Sequence, residues 1–246
     1  MPVSGLKRIP IVMVFSFLLA SAGSCAELLQ TTQYHGDEVK SKSGLTWLGL
    51  FPTAKGEFEL NPAKVEISLV HDPVEDRQNV KTGKLISVSS KRQPLFLVRG
   101  VSGLKSGKVS TSLEDKEYTE QLHARHLLCG KTLELKLGSR ATKLTALGSA
   151  ETRDKSGAPE GELLKGYELV LECGGVKQTL YKENEITLDG CPSIIWAGDL
   201  DRDGKLDLFI DMTNHYNLSK PTLFLSSKAK LGKLVEAVAS ISAVGC

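Results

Sequence analysis

Apolar and polar residues alternate along much of the chain with the two-residue period of a β-strand. Residues 64–69 alternate Val, Ile and Leu with Lys, Glu and Ser, and residues 133–137 alternate Leu with Glu and Lys. Short runs rich in Val, Ile, Leu and Phe occupy 84–89 and 94–99. Because successive strand residues point to opposite faces of a sheet, this pattern predicts strands with one face turned to a core.

A β-hairpin is predicted in the second half of the chain. Gly174-Gly175 separates two apolar-rich runs, 167–173 and 176–181, and a Gly-Gly pair is a favoured two-residue turn. Further strand candidates lie at 194–197, 206–210 and 222–225. Helical periodicity is weak and confined to two segments, 113–128 and 231–240. We therefore predict a mainly β, antiparallel fold that is sandwich-like or a partial barrel.

The length suits one large β domain or two small β subdomains. The chain has 246 residues, of which 41% are hydrophobic, enough to bury a core. The polar stretch 26–45 is expected to be a loose leader. A polar seam near 103–115 separates an N-terminal β region, 46–110, from a C-terminal β region, 111–246, and a long loop is expected at 151–161.

The first 25 residues have the organisation of a secretion signal. Lys7 and Arg8 precede the apolar run 9–19, and small residues follow at 20–24. The run is shorter than the roughly 18–20 residues that span a bilayer as a helix, so a cleaved signal peptide over 1–25 is favoured. The expected location is therefore the periplasm, the outer membrane or the extracellular space.

The sequence allows more than one position for cleavage of the signal. Residues 22–25, Ala-Gly-Ser-Cys, resemble the lipobox of bacterial lipoproteins, which implies lipidation of Cys25 and membrane attachment through that lipid alone. An ordinary signal peptidase would instead cut after Ala22 or Ala26. The mature chain is then free of a membrane anchor.

Removal of the signal changes the charge balance. The full chain has 31 Lys and Arg residues against 29 Asp and Glu residues. Lys7 and Arg8 leave with the signal, so the mature chain has 29 of each sign. No basic field remains, and nucleic acid is not an expected partner.

The number of cysteines is consistent with export to an oxidising compartment, where disulfides form. The chain has five: Cys25, Cys129, Cys173, Cys191 and Cys246. Without Cys25, four remain. If the strands that Cys129 opens and Cys173 closes pair antiparallel, these two cysteines form one disulfide and Cys191 pairs with Cys246. The alternative is four unpaired thiols. His126 and Cys129 are three residues apart, but no Cys-x-x-Cys or second His-Cys cluster in the sequence completes a zinc site.

The segment 199–207 carries the chemistry of a calcium loop. Its pattern is Asp-x-Asp-x-Asp-Gly-x-x-Asp, in which alternate carboxylates of a tight loop point at one centre. Calcium takes six to eight oxygen ligands, and Gly204 allows the turn that the loop needs. The predicted ligands are four carboxylates and one backbone carbonyl: Asp199, Asp201, Asp203 and Asp207, with Lys205. The alternative is a solvated acidic turn.

Residues 198–210 resemble the calcium loop of FG-GAP or VCBS-type repeats. This resemblance implies the same ligand set. The chain has one copy of the loop, whereas a propeller needs several, so a full propeller is not expected. An EF-hand is excluded because Ile210 stands where that loop needs a bidentate Glu. The C-terminal pattern, including 215–217 and 223–226, resembles exported bacterial proteins.

The expected function is that of an exported, non-catalytic β protein with a structural calcium ion and a role in the cell envelope or in an interaction. No nucleophile elbow, Walker loop or His-Glu-x-x-His motif occurs, and no catalytic residue is assigned. Two alternatives remain: a secreted hydrolase acting on glycans or other polymers, to which His215 is a candidate contributor, and a ligand-binding or adhesion module.

We expect the mature chain to begin at or near Cys25, because a short apolar run after a positive segment is typical of a cleaved signal. Intact-mass measurement of protein from the native host checks this. A lipid-sized increment on Cys25 supports the anchor, and a plain cut after Ala22 or Ala26 supports an unanchored protein. Retention of Met1 contradicts the export prediction.

Overall fold

Strands dominate the described part of the chain. The computed structural model describes residues 26–53, 57–112, 126–151 and 163–245. The strands of the first half are β1 (Glu27–Leu29), β2 (Gln33–Tyr34), β3 (Thr46–Pro52), β4 (Phe58–Val70), β5 (Gly83–Val88), β6 (Leu97–Arg99) and β7 (Gly107–Thr111). Those of the second half are β8 (Thr132–Leu137), β9 (Arg140–Glu151), β10 (Leu163–Cys173), β11 (Val176–Thr187), β12 (Ser193–Asp199), β13 (Asp207–Asp211), β14 (Leu218–Ser219), β15 (Pro221–Leu225), β16 (Glu236–Ser240) and β17 (Ala243–Val244). Two 3-10 turns, Leu188–Gly190 and Ser226–Lys228, are the helical elements described.

The main sheet is antiparallel and nearly closes into a barrel. Its strand order is β1-β6-β3-β4-β7-β12-β13-β15-β16, and β5 branches from β4 and also pairs with β2. Strands β1 and β16, the two ends of this order, lie next to each other. The predicted mainly β, barrel-like architecture is therefore confirmed, and the fold is not a propeller.

A four-stranded antiparallel sheet and a two-stranded one complete the fold. The four strands follow the order β11-β10-β9-β8, and β14 pairs with β17. The predicted hairpin joins β10 to β11 through Gly174 and Gly175, whose φ angles are 57° and 82°. Two positive φ values in succession match the twist of a hairpin, and glycine adopts them without a steric penalty.

Strand β13 lies between two cores and is buried on both faces. Leu208 and Ile210 pack into the core beneath the four-stranded sheet. Phe209 points the other way, into the barrel, where its ring centroid is 4.6 Å from that of Phe96. A strand covered on both sides reads as a continuous apolar run, which explains Leu-Phe-Ile at this point of the sequence.

Two segments differ from the sequence-based expectation. The stretch 26–45 contains β1 and β2, and Leu28, Leu29 and Tyr34 are buried, so it belongs to the sheet and is not a loose leader. The ambiguous stretch 231–240 is a turn followed by β16. Most of the candidate helix and the candidate loop at 151–161 lie outside the described residues.

Strand β7 joins the two predicted β regions. It pairs with β4 on one side and with β12 on the other, so both regions contribute to one sheet. No helix within the described ranges has the length and apolar character needed to cross a membrane.

The predicted pairing of Cys129 with Cys173 is not formed, because β8 pairs with β9 and not with β10. Cys129, Cys173 and Cys191 are free thiols. The Cys129 sulfur contacts the carbonyl of Leu147 at 3.6 Å, beside the middle of β10, whereas Cys173 lies at the hairpin end. At about 3.3 Å per residue, five strand residues separate these positions by roughly 17 Å, too far for a disulfide.

The other predicted pair, Cys191 with Cys246, includes a residue outside the described part. The Cys191 thiol is buried, and its sulfur lies 3.6 Å from Nδ1 of His126. Burial raises the pKa of this thiol to about 11, so the reactive thiolate is rare at neutral pH.

We expect Gly198→Ala to destabilise the fold by roughly 2–3 kcal/mol, or about 6–9 °C in Tm. A Cβ at this position would lie 2.1 Å from the Ser110 carbonyl oxygen and 2.4 Å from Trp196 Cζ2, so β7 and β12 must separate. Thermal melting measures the loss. Gly245→Ala is the matched control, since its Cβ meets no atom closer than 3.5 Å. Equal melting of the two variants would contradict this packing.

Candidate metal centre

The acidic loop connects β12 to β13 at one end of the main sheet. Asp199 is the last residue of β12 and Asp207 the first of β13, next to Gly198 in register. The loop reverses direction through Arg202 and Gly204, whose φ angles are 64° and 79°. The antiparallel pairing of β12 and β13 therefore brings the first and last aspartates of the motif together.

Three of the four aspartates predicted as ligands form a close group. One carboxylate oxygen from each of Asp199, Asp201 and Asp207 lies within 4.8 Å of the others. Asp203 is not in this group; each of its carboxylate oxygens lies 3.1 Å from the Ser226 hydroxyl. The backbone N–H of Lys205 donates to Asp203 at 2.8 Å, which closes the turn.

Burial dominates the electrostatics of Asp207. Its side chain is inaccessible to solvent, and the loss of hydration raises its pKa to about 7. Backbone N–H groups of Leu200 and Ser226 donate to its two oxygens, each at 2.8 Å, which partly offsets this effect. Burial also raises the pKa of Asp199. The N–H groups of Gly204 and Asp203, which donate to its carboxylate at 3.0 Å each, oppose this rise.

A serine turn after β15 forms the other side of the site. The hydroxyl of Ser226 lies 3.0 Å from Asp207 Oδ1, and that of Ser227 donates to Asp201. Neither serine was among the residues predicted from the sequence. The available signal was a Ser-Ser pair directly after an apolar run, but only the pairing of β13 with β15 places it beside the aspartates.

The Ser226 hydroxyl has one hydrogen, which cannot satisfy all of the carboxylate oxygens around it. It lies within 3.1 Å of three carboxylate oxygens, two from Asp203 and one from Asp207, yet a hydroxyl donates only one hydrogen bond. The Lys205 ammonium lies 3.9 Å from Asp203 Oδ2, and the remaining lone pairs form an all-oxygen set of the type that a hard cation prefers. The donor atoms of this group are therefore those of a candidate cation site.

A second group of candidate ligands lies in the first third of the chain, and two of its members form an ion pair with each other. His35 Nδ1 is 2.5 Å from Asp72 Oδ2, and Glu75 completes the group. The buried Asp72 also accepts from the N–H groups of Val74 and Glu75. The hydrogen bond to Asp72 raises the pKa of His35, and the same bond lowers the pKa of Asp72.

Two residues near the loop in sequence have other surroundings. The His215 ring lies 4.5 Å from that of Tyr216 with the planes tilted by 38°, and its Nδ1 lies 2.5 Å from Asn217 Oδ1, so its contacts are local. Trp196 is fully buried in the barrel, edge-on to Phe58. Neither side chain belongs to the group of Asp199, Asp201 and Asp207.

No family model, curated protein or solved structure matches this chain. The resemblance of residues 198–210 to FG-GAP or VCBS-type loops stays a prediction. The geometry of the acidic loop and the serine turn is therefore the basis for a function.

We expect the ion pair of His35 and Asp72 to make stability fall as pH rises above about 6.5, the usual pKa of histidine. The folded pKa of His35 lies above its usual value of about 6.5, so its contribution is complete below that pH and lost as pH rises through the folded pKa. Asp72, whose pKa is lowered, contributes above pH ~4 and loses its contribution below its folded pKa. Glu38 and Glu75 also favour the imidazolium.

Thermal melting from pH 5 to pH 9 tests this expectation with His35→Gln. The wild type should melt above the variant at pH 5–6, and the difference should shrink towards pH 9. His215→Gln, which removes an exposed imidazole whose side-chain partner is the uncharged Asn217, is the control and should leave the difference from wild type independent of pH. A difference between wild type and His35→Gln that is constant with pH would show that the pair contributes no charge interaction.

Proposed function

We propose that this chain is an exported, non-catalytic β protein in which a calcium ion, held by the acidic loop, stabilises one end of the barrel. The observation that carries this proposal is the excess of carboxylate oxygens around Ser226 and the buried Asp207. Backbone N–H groups and serine hydroxyls donate to these carboxylates, but those donors are neutral, so the negative charges still repel one another. A bound cation turns this repulsion into attraction.

The ligand chemistry favours calcium. The close group consists of carboxylates, with neither His nor Cys among its three members. Oxygen-only sets suit calcium and magnesium, whereas zinc prefers nitrogen and sulfur. Magnesium needs a small octahedral site, while a nine-residue loop with backbone carbonyls and water accommodates the larger, more variable shell of calcium.

The surroundings favour a structural role for the ion. Asp199 and Asp203 accept hydrogen bonds from the loop's own backbone, and Asp207 accepts from the loop and from the serine turn. These contacts bind the β12–β13 connection to the end of β15. An ion held by Asp199, Asp201 and Asp207 fixes carboxylates that also accept hydrogen bonds from the serine turn about 20 residues further on, an arrangement that the unfolded chain cannot hold together.

Export explains where the ion comes from. The signal over 1–25, which lies outside the described residues, directs the chain to the periplasm, the outer membrane or the extracellular space. Calcium is available there at concentrations that weak extracellular modules use, on the order of 10⁻⁴–10⁻³ M. A mature chain of zero net charge fits an envelope or interaction role better than one on nucleic acid.

We expect calcium to raise the melting temperature of the mature protein. At ten times its dissociation constant, an ion that binds only the native state adds about 1.4 kcal/mol of stability, or roughly 3–5 °C in Tm. Magnesium should give a much smaller rise. Differential scanning calorimetry in calcium, in magnesium and in chelator measures the three values, and isothermal titration should give one calcium per chain.

Asp201→Asn should remove the calcium response. Because it also relieves repulsion among the carboxylates, the variant should melt at or above the wild-type temperature in chelator. Asp189→Asn makes the same charge change at an exposed position outside the loop and should keep the full response. Coincident wild-type curves in calcium and chelator would show that the loop is only an acidic turn.

A further inference from the structure

The loop that holds the proposed ion also reaches across to strand β7. We infer that Arg202 couples the cation site to β7, so that cation binding orders the start of β7 and completes the main sheet between β4 and β12. The inference rests on the proposed function, since it requires a cation in loop 199–207. Arg202 is then the positioning residue for the start of β7, which is distant in sequence from the loop.

The contacts of Arg202 join two connections that are far apart in sequence. Its Nε donates to the carbonyl of Lys108 at 3.0 Å and its Nη2 to the carbonyl of Lys105 at 2.9 Å. The guanidinium lies directly on Gly107, where an added Cβ would be 2.9 Å from Nη2. The planar fork of arginine suits two backbone carbonyls at once, which a lysine ammonium cannot match with the same geometry.

The position of Arg202 ties these contacts to the state of the loop. It stands between Asp201 and Asp203, and its φ of 64° is uncommon for a residue with a Cβ. The backbone holds this conformation while the hydrogen bonds of the acidic turn persist on both sides. If the carboxylates repel one another and the turn opens, Arg202 leaves its left-handed conformation and its guanidinium moves away from β7.

Strand β7 needs this support because its own pairing is short. Two residue pairs join it to β12, and three join it to β4. The strands on either side, β4 and β12, are longer, so β7 is a short link between them, as β6 is between β1 and β3. Short links with few ladder hydrogen bonds open locally at a lower free energy than the core.

The serine turn provides a second, weaker contact with the same segment. Lys228, in the turn that holds Ser226 and Ser227, donates from Nζ to Ser102 Oγ at 2.9 Å. Both side chains are exposed, and contacts of this kind contribute little to stability. Arg202 is also exposed, but it donates two hydrogen bonds to backbone carbonyls and so carries most of the coupling. Lys228 shows that both sides of the cation site face residues 102–108.

Hydrogen exchange measured by mass spectrometry tests the inference on the mature protein. Wild type is compared in calcium at ten times its dissociation constant and in chelator. If opening requires loss of the ion, exchange slows about tenfold both in the acidic loop and at Gly107–Thr111. Strands β10 and β11, which lie in the other sheet, should show a smaller change and serve as the internal reference.

Arg202→Asn is the decisive variant, because asparagine tolerates a positive φ but removes the guanidinium. The calcium concentration is set to ten times the dissociation constant of the variant. Calcium should then still slow exchange in the acidic loop but no longer slow it at Gly107–Thr111. Lys105→Ala is the matched control. It removes a side chain but leaves the carbonyl that Arg202 contacts, so both regions should respond as in wild type.

The outcomes separate this inference from the proposed function. If Arg202→Asn retains a tenfold calcium effect at Gly107–Thr111, the coupling does not run through Arg202 and the inference is wrong, while the cation site stands. If wild type shows no calcium effect in the acidic loop, both are wrong. If the loop responds and Gly107–Thr111 does not, the ion acts only locally and the inference is again wrong.

Discussion

The burial of β13 on both faces is the constraint on which the rest of the structure depends. Its Leu208, Phe209 and Ile210 fill two different cores, so the strand has no face towards water. Its first residue is nevertheless Asp207, which is fully buried. An uncompensated buried carboxylate costs several kcal/mol, and the segments around it are arranged to lower this cost. The backbone of β12, the acidic loop and the serine turn all converge on it.

Two buried carboxylates in this protein are compensated in different ways. Asp72 has an internal counter-charge, since the imidazole of His35 lies 2.5 Å away and two backbone N–H groups complete its contacts. Asp207 is contacted by backbone amides and a serine, while a second carboxylate, Asp201, adds repulsion. The first arrangement is complete within the chain. The second is the one for which we propose a calcium ion, and its wider connections through Arg202 give that ion a structural consequence beyond the loop.

The sequence by itself determined the local features of this protein. The alternation at 64–69 and 133–137 lies in strands β4 and β8, and Gly174-Gly175 forms the expected hairpin turn. The spacing of Asp199, Asp201 and Asp207 brings their carboxylates together. Each of these features depends on residues within about a dozen positions of one another, where backbone geometry and side-chain direction follow from residue type.

Tertiary structure alone decided which distant segments meet. Strand β8 pairs with β9, so Cys129 and Cys173 lie apart, and the pairing of β13 with β15 brings Ser226 to the aspartates. The same contact turns Asp203 towards the serine turn. The period of a strand indicates which face is buried but not which strand lies beside it, because many pairings bury the same apolar faces. The choice among them comes from the packing of the whole core around β13.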